Sequence, residues 1–223
     1  FNGWPEALAD CCTAIPCDTP CNARPFIEPP QPLSILQMAE RQAARLRHQS
    51  RPFSIFGHSM GALVAFETAR QLRRMGARLP DLLILSAHRA PHLPSQRLPM
   101  HQLPNADFDA RLAEYSGTPD PVLQDSELMD LFRPLLRRDF RACETYRLTK
   151  EAPLDIPALC LGGTEDTNIP CEDLSAWSKH FVDRPGLGML PGGHFYFHNS
   201  LPRMAVHIAA ALSRLPVKHA AAA

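Results

Sequence analysis

The stretch "RPFSIFGHSMGALVAFETARQLRRMG", residues 51–76, constrains the fold more than any other part of the chain. "PFSIFG" is a short apolar run of the kind that forms a buried strand. "MGALVAFETARQLRRMG" places Leu63, Phe66, Ala69 and Leu72 at three-residue steps on one face, as in a helix. Arg70, Arg73 and Arg74 fall near its C-terminal end and Gly76 closes it. Between the two lies Gly57-His58-Ser59-Met60-Gly61, a G-x-S-x-G pattern in the strand–turn–helix context that gives such a pattern chemical meaning. Glycines two residues either side of Ser59 are expected to let strand and helix pack closely around a strained turn. The serine then projects from the sheet as a nucleophile, and the Met60 backbone N–H, at the helix start, can face a developing oxyanion. The competing reading is a Gly-Ser turn whose serine only caps the helix.

Further strands follow the same logic. "DLLILSA" (81–87) and "PALCLGG" (157–163) are continuous apolar runs, and "GLGMLPGG" (186–193) is a weaker one. Strands apolar on both faces and alternating with helices indicate a mostly parallel sheet flanked by helices, an α/β fold. A helix is expected over 33–48 from Leu36, Ala39, Ala43 and Leu46, and another over the final "LPRMAVHIAAALSRL". Residues 105–150 break the strand rhythm with helical patterns and read as a helical lid insertion within one domain spanning 1–223. Residues 1–32 hold seven prolines, too many for a long helix; "CTAIP" is expected as a short strand and the rest as irregular chain.

A nucleophilic serine needs a base, and the base an orienting acid. His194 follows a strand-like run and a Gly-Gly turn in "LPGGHFYF", and Asp166 sits in the loop leaving "LCLGG". The order Ser59, Asp166, His194 is that of the α/β-hydrolases. Glu165 adjoins Asp166 as a rival acid. Of the other histidines, His58 lies inside the elbow and shapes it, and His198 reads as surface or packing. His88, His92 and His101 read as solvated loop residues. His194 and His198 have an i, i+4 spacing usable for zinc, but the glutamate of H-E-x-x-H is absent, so no metal site is expected.

Twenty-three basic residues cancel 23 acidic ones, so neither nucleic acid nor an anionic membrane is an expected partner. No apolar run reaches the roughly 18 residues of a membrane span and no signal-peptide pattern opens the chain, which points to the cytoplasm. Four of the seven cysteines, Cys11, Cys12, Cys17 and Cys21, crowd the N-terminus without paired metal-ligand spacing and read as reduced thiols.

"FGHSMGALVAFETAR", "LLILSAHRAP", "LGGTED" and "PGGHFYF" together resemble the type II thioesterases that accompany nonribosomal peptide and polyketide synthases. The same family includes thioesterases that act with fatty acid synthases. "RPLLRRDFRACETY" and Trp4 in an F-x-x-W context are less distinctive matches. The resemblance implies an α/β-hydrolase fold with a small helical lid, and hydrolysis of acyl or aminoacyl groups from the phosphopantetheine arm of carrier proteins, largely to clear stalled or misprimed units. It implies Ser59, Asp166 and His194 as the triad, favouring Asp166 over Glu165, with the Met60 amide as one oxyanion donor. No cofactor of the enzyme's own is implied; phosphopantetheine arrives on the partner. Members usually begin with a strand and an A-G-G-type loop that supplies a second donor, and Phe1 lies past that position, so the N-terminal strand is expected to be missing. "PCNARPFIEPP" also departs from the family's P-G-R-x-x-R-x-x-E-P-P pattern at Cys21, Asn22 and Arg24. Two other readings stay open: a small-molecule carboxylesterase or lipase on the same fold, and a non-catalytic carrier-protein binder.

Overall fold

The computed structural model describes residues 3–17, 33–95, 98–115, 117–118 and 120–215. The expectations for Cys21, Asn22 and Arg24 fall outside them. Four parallel strands, β1 (Ser54–His58), β2 (Leu82–Ser86), β3 (Ala158–Gly163) and β4 (Gly186–Leu190), form one sheet in the order β1-β2-β3-β4. Each strand lies within one to three residues of the apolar run that announced it. The register pairs His58 with Ser86 and Gly163 with Leu190, so the C-terminal ends of all four strands share one edge.

Helices cover both faces. On one side α2 (Ile35–Leu46) and α3 (Met60–Arg74) pack with Trp177 and Phe181 over Leu83, Leu85 and Cys160. On the other, α1 (Trp4–Leu8) and α8 (Phe197–Ser213) cover Leu82, Ile84, Leu159 and Leu161. Alternate residues of one strand thus feed opposite cores, which is why both had to be apolar. All five β2 residues are buried, each large side chain contributing about 1.5–3 kcal/mol. β1 is more open: Ser54 is exposed, and among the described residues no strand pairs with its second edge.

Local signals set the helix ends. Ser34 and Gln37 form a reciprocal capping box at the start of α2. The short helix α1 occurs where irregular chain was expected. Pro5 sits in its first turn, where the missing N–H has no intrahelical partner to lose. "CTAIP" forms no strand. The last helix starts earlier than its periodicity suggested, at Phe197, and contains one non-helical residue, Ser200, whose hydroxyl donates to the Pro191 carbonyl.

Between β2 and β3 the chain forms α4 (Asn105–Glu114), α5 (Asp120–Leu123) and α6 (Ser126–Glu144), which enclose a small core of their own from Met100, Phe108, Leu112 and Met129. A short helix, α7 (Cys171–Ser175), follows β3. A buried polar clamp joins α3 to the segment after α6. Glu67 and Arg70, 1% and 2% exposed, form an ion pair. Tyr146 donates its hydroxyl hydrogen to Glu67, and Arg70 donates to the Thr149 carbonyl and reaches Glu151 at 2.9 Å.

Candidate active site

β1 delivers its chain into a turn that only one of its two glycines makes sterically feasible. A Cβ on Gly57 would lie 2.0 Å from the Gly61 carbonyl oxygen and 2.8 Å from the Ala62 nitrogen. A Cβ on Gly61 would meet nothing within 4 Å. The close strand–helix approach therefore depends on Gly57, which corrects the symmetric role expected for the two. Between them Ser59 adopts φ 53°, ψ −121°, a backbone strain of about 1–3 kcal/mol for a non-glycine residue. Its N–H donates to the Ser86 carbonyl at 2.8 Å, which pins the elbow to the neighbouring strand. The Ser59 side chain makes no capping bond to α3, so the helix-capping reading does not describe it. Met60 opens α3, a position whose N–H has no intrahelical acceptor.

β3 and β4 bring the second and third side chains to the same edge. A Cβ on Gly163 would fall 2.2 Å from the Gly193 carbonyl and 2.3 Å from that of Gly192, so the two loops touch backbone to backbone. The Glu165 N–H donates to Gly192 at 2.9 Å, and Gly192 has φ 120°. Asp166 is buried at the turn, and its Oδ1 accepts from the backbone N–H groups of Asn168 (2.9 Å) and Ile169 (3.3 Å). Its Oδ2 lies 2.7 Å from His194 Nδ1. Adjacent Glu165 is exposed, whereas Asp166 is buried. The His194 Nε2 lies 3.0 Å from Ser59 Oγ. A carboxylate can only accept, so Nδ1 carries the hydrogen and Nε2 presents a lone pair to the serine hydroxyl.

Ser59, Asp166 and His194 thus meet, although 135 residues separate the serine from the histidine. His194 is 4% exposed, and its ring is enclosed edge-on by Phe195 and by Tyr115, each with centroids 5.1 Å away. Tyr115 ends α4, so the helical segment between β2 and β3 reaches the base itself. Gly117 lies so close to Phe195 that a Cβ there would be 2.0 Å from its ring. Neither contact was foreseen, because a helical pattern does not disclose which end overlies the sheet.

Three of the remaining histidines, His88, His92 and His101, differ from expectation. His58 is part-buried, with Nδ1 2.8 Å from Ser86 Oγ, and Ser86 Oγ is in turn 2.8 Å from Tyr196 Oη. Burial, with His194, His198 and His88 nearby, holds His58 well below the ordinary histidine range. His88, His92 and His101 are not solvated loop residues. His88 contacts the Arg89 carbonyl, and burial pushes it down to about 4. His92 Nδ1 pairs with His180 Nε2 at 2.9 Å, and His101 bonds Glu144. His198 is exposed and packs on Phe197. Both His194 nitrogens are engaged, Nδ1 by Asp166 and Nε2 by Ser59.

Comparison with known proteins aligns with this geometry. A family model described as a thioesterase domain matches residues 1–212. LgrE of Brevibacillus parabrevis, named a linear gramicidin dehydrogenase, is 34% identical over 215 residues, covering 95% of this chain and 82% of its own. The thioesterase PikA5 of Streptomyces venezuelae is 39% identical over 168 residues, covering 74% of this chain but 59% of its own, so the chain spans about three fifths of that relative. Among solved structures, YbtT, a type II thioesterase from a yersiniabactin nonribosomal peptide/polyketide pathway, superposes with a TM-score of 0.74 at 36% identity, covering 82% of this chain and 75% of YbtT.

Proposed function

The chain belongs to the thioesterase family, and on that premise we propose that it is a type II thioesterase that releases acyl and aminoacyl groups from the phosphopantetheine arm of carrier proteins. The single observation that carries the reading is the unbroken line Ser59 Oγ, His194 Nε2, His194 Nδ1, Asp166 Oδ2, with gaps of 3.0 and 2.7 Å. Its partners are acyl or peptidyl carrier domains of a synthase, in the cytoplasm, and its biological use is to clear stalled or misprimed units.

In this mechanism His194 Nε2 takes the Ser59 proton as Oγ bonds to the thioester carbonyl carbon. Asp166 holds the tautomer and faces the imidazolium that forms. The carbonyl oxygen becomes an oxyanion next to the Met60 N–H. Collapse breaks the C–S bond, and the phosphopantetheine sulfur leaves with the proton from His194. Water then attacks the acyl-serine, losing its proton to His194, and that proton passes to Ser59 Oγ as the C–Oγ bond breaks and the acid departs. Ser59, His194, Asp166 and the Met60 N–H carry these steps with water as the second nucleophile, and no cofactor of the enzyme's own is part of the proposal. LgrE is named a dehydrogenase, but the sequence here has no G-x-G-x-x-G stretch for a dinucleotide, and that activity is not carried over.

The thioester preference is tested by offering purified protein an acyl-loaded carrier and the matching p-nitrophenyl ester. A higher kcat/KM on the carrier supports the reading; a higher value on the oxygen ester indicates a small-molecule esterase instead.

A further inference from the structure

Ser86 ends β2 directly opposite His58, the residue before Ser59. It is fully buried, yet its polar groups make three separate contacts with the machinery around it. Its carbonyl accepts the Ser59 N–H at 2.8 Å. Its hydroxyl lies 2.8 Å from His58 Nδ1 and 2.8 Å from the Tyr196 hydroxyl, and Tyr196, two residues beyond His194, is itself 2% exposed. One side chain therefore ties the elbow that carries Ser59 to the turn that carries His194.

A hydroxyl has one hydrogen to give and lone pairs to accept, so it can serve both neighbours at once, whichever way the bonds run. Alanine there would leave two buried polar groups without their partner and remove the hydrogen-bonded link between them, leaving only ring contacts of His58 with Tyr196, His194 and Phe195 among those described. The Ser59–His194 distance of 3.0 Å would then rest on those less directional ring contacts and on the separate anchoring of two loops. We infer that Ser86 is a positioning residue for the reaction, its hydroxyl setting the separation of nucleophile and base by joining His58 to Tyr196. The inference rests on Ser59 and His194 being nucleophile and base. It adds three side chains to the triad, His58, Ser86 and Tyr196, through which the pair is held.

The test compares wild type, Ser86→Ala, Tyr196→Phe and the double variant. Three quantities are read: kcat and KM on an acyl-loaded carrier, the rate at which a fluorophosphonate probe labels Ser59, and Tm. A small misplacement of reacting groups costs rate steeply, so each single variant is expected to lose about 10-fold or more in kcat with KM within about twofold. Labelling should slow in parallel. The double variant should fall no further than the worse single one, because both remove the same link. Full kcat and labelling rate in folded Ser86→Ala, with only Tm lowered, would overturn the inference. If Ser86→Ala does not fold, an undiminished kcat in Tyr196→Phe overturns it equally. Wild-type Ser59 that fails to label would instead overturn the nucleophile reading itself, and this inference with it.

Discussion

Asp166 Oδ2 lies 2.7 Å from His194 Nδ1, while the other oxygen of the same carboxylate is held by two backbone N–H groups. The carboxylate is thus fixed in position before the base is oriented by it. Asp166→Asn is expected to lower kcat about 10³- to 10⁴-fold, since an amide in this place can favour the wrong histidine tautomer. Glu165→Gln, altering an exposed side chain outside the contact, is expected to stay within about twofold of wild type. Steady-state kinetics on the two variants decides which acid serves; equal losses would contradict the assignment.

The two elbow glycines should respond differently to the same change. Gly57→Ala places a methyl group 2.0 Å from the Gly61 carbonyl, a contact that only movement of the strand or helix relieves. Loss of soluble protein, or a fall in Tm of many degrees, is expected. Gly61→Ala meets open space inside a helix and is expected to keep Tm or raise it, by up to about 1 kcal/mol of stability. Thermal melts of both proteins check this asymmetry.

Glu67 and Arg70 are both buried, so removing one takes from the other its closest charge partner, and Arg70 keeps only the more open Glu151. Glu67→Ala leaves the guanidinium without its main counter-charge and is expected to destabilise by about 3–5 kcal/mol. Tyr146→Phe removes one hydrogen bond to the same carboxylate and should cost about 1–3 kcal/mol. Urea unfolding of the two variants gives both values; a Glu67→Ala protein as stable as wild type would show that the clamp does not hold α3 to the segment after α6.

Stability should also fall as the solution becomes mildly acidic. Burial lowers His88 and His180 from the ordinary 6.5 to about 4. Below 6.5 the unfolded chain therefore binds protons that the folded chain refuses, and stability declines as pH falls toward 4. Glu151, which its arginine partners hold at about 2 against its burial, loses its contribution only below its unfolded value of 4.5. A Tm series between pH 7 and 5 therefore leaves out Glu151 and reads the lowered histidines, against Asp139, whose carboxyl burial raises. Tm is expected to drop across it, and less so in His180→Asn; a flat or rising profile would contradict the assignment.

Much of this architecture was legible in the sequence because parallel strands are buried on both faces. Leu82 to Leu85 had to be continuously apolar, and such a run announces itself. Ser59, Asp166 and His194 were legible because each follows a strand end, and strand ends share one edge of a parallel sheet. What escaped depends on contacts rather than patterns. The Ser86–Tyr196 bond spans 110 residues, and nothing in "LLILSA" or "HFYF" pairs them. Helix α1 hid among prolines because Pro5 is tolerated only in a first turn, a matter of position rather than composition. Gly61 resembled Gly57 in the motif, yet only three-dimensional packing separates their roles.

The central claim is that Ser59 attacks a carrier-bound thioester with His194 as its base. The most direct measurement is single-turnover hydrolysis of acyl-loaded carrier protein by wild type and by Ser59→Ala, with carrier binding measured on the same samples. The expected result is acyl release by wild type, a loss of about 10⁶-fold in the variant, and unchanged carrier binding. Acyl release at the wild-type rate by Ser59→Ala would contradict the account.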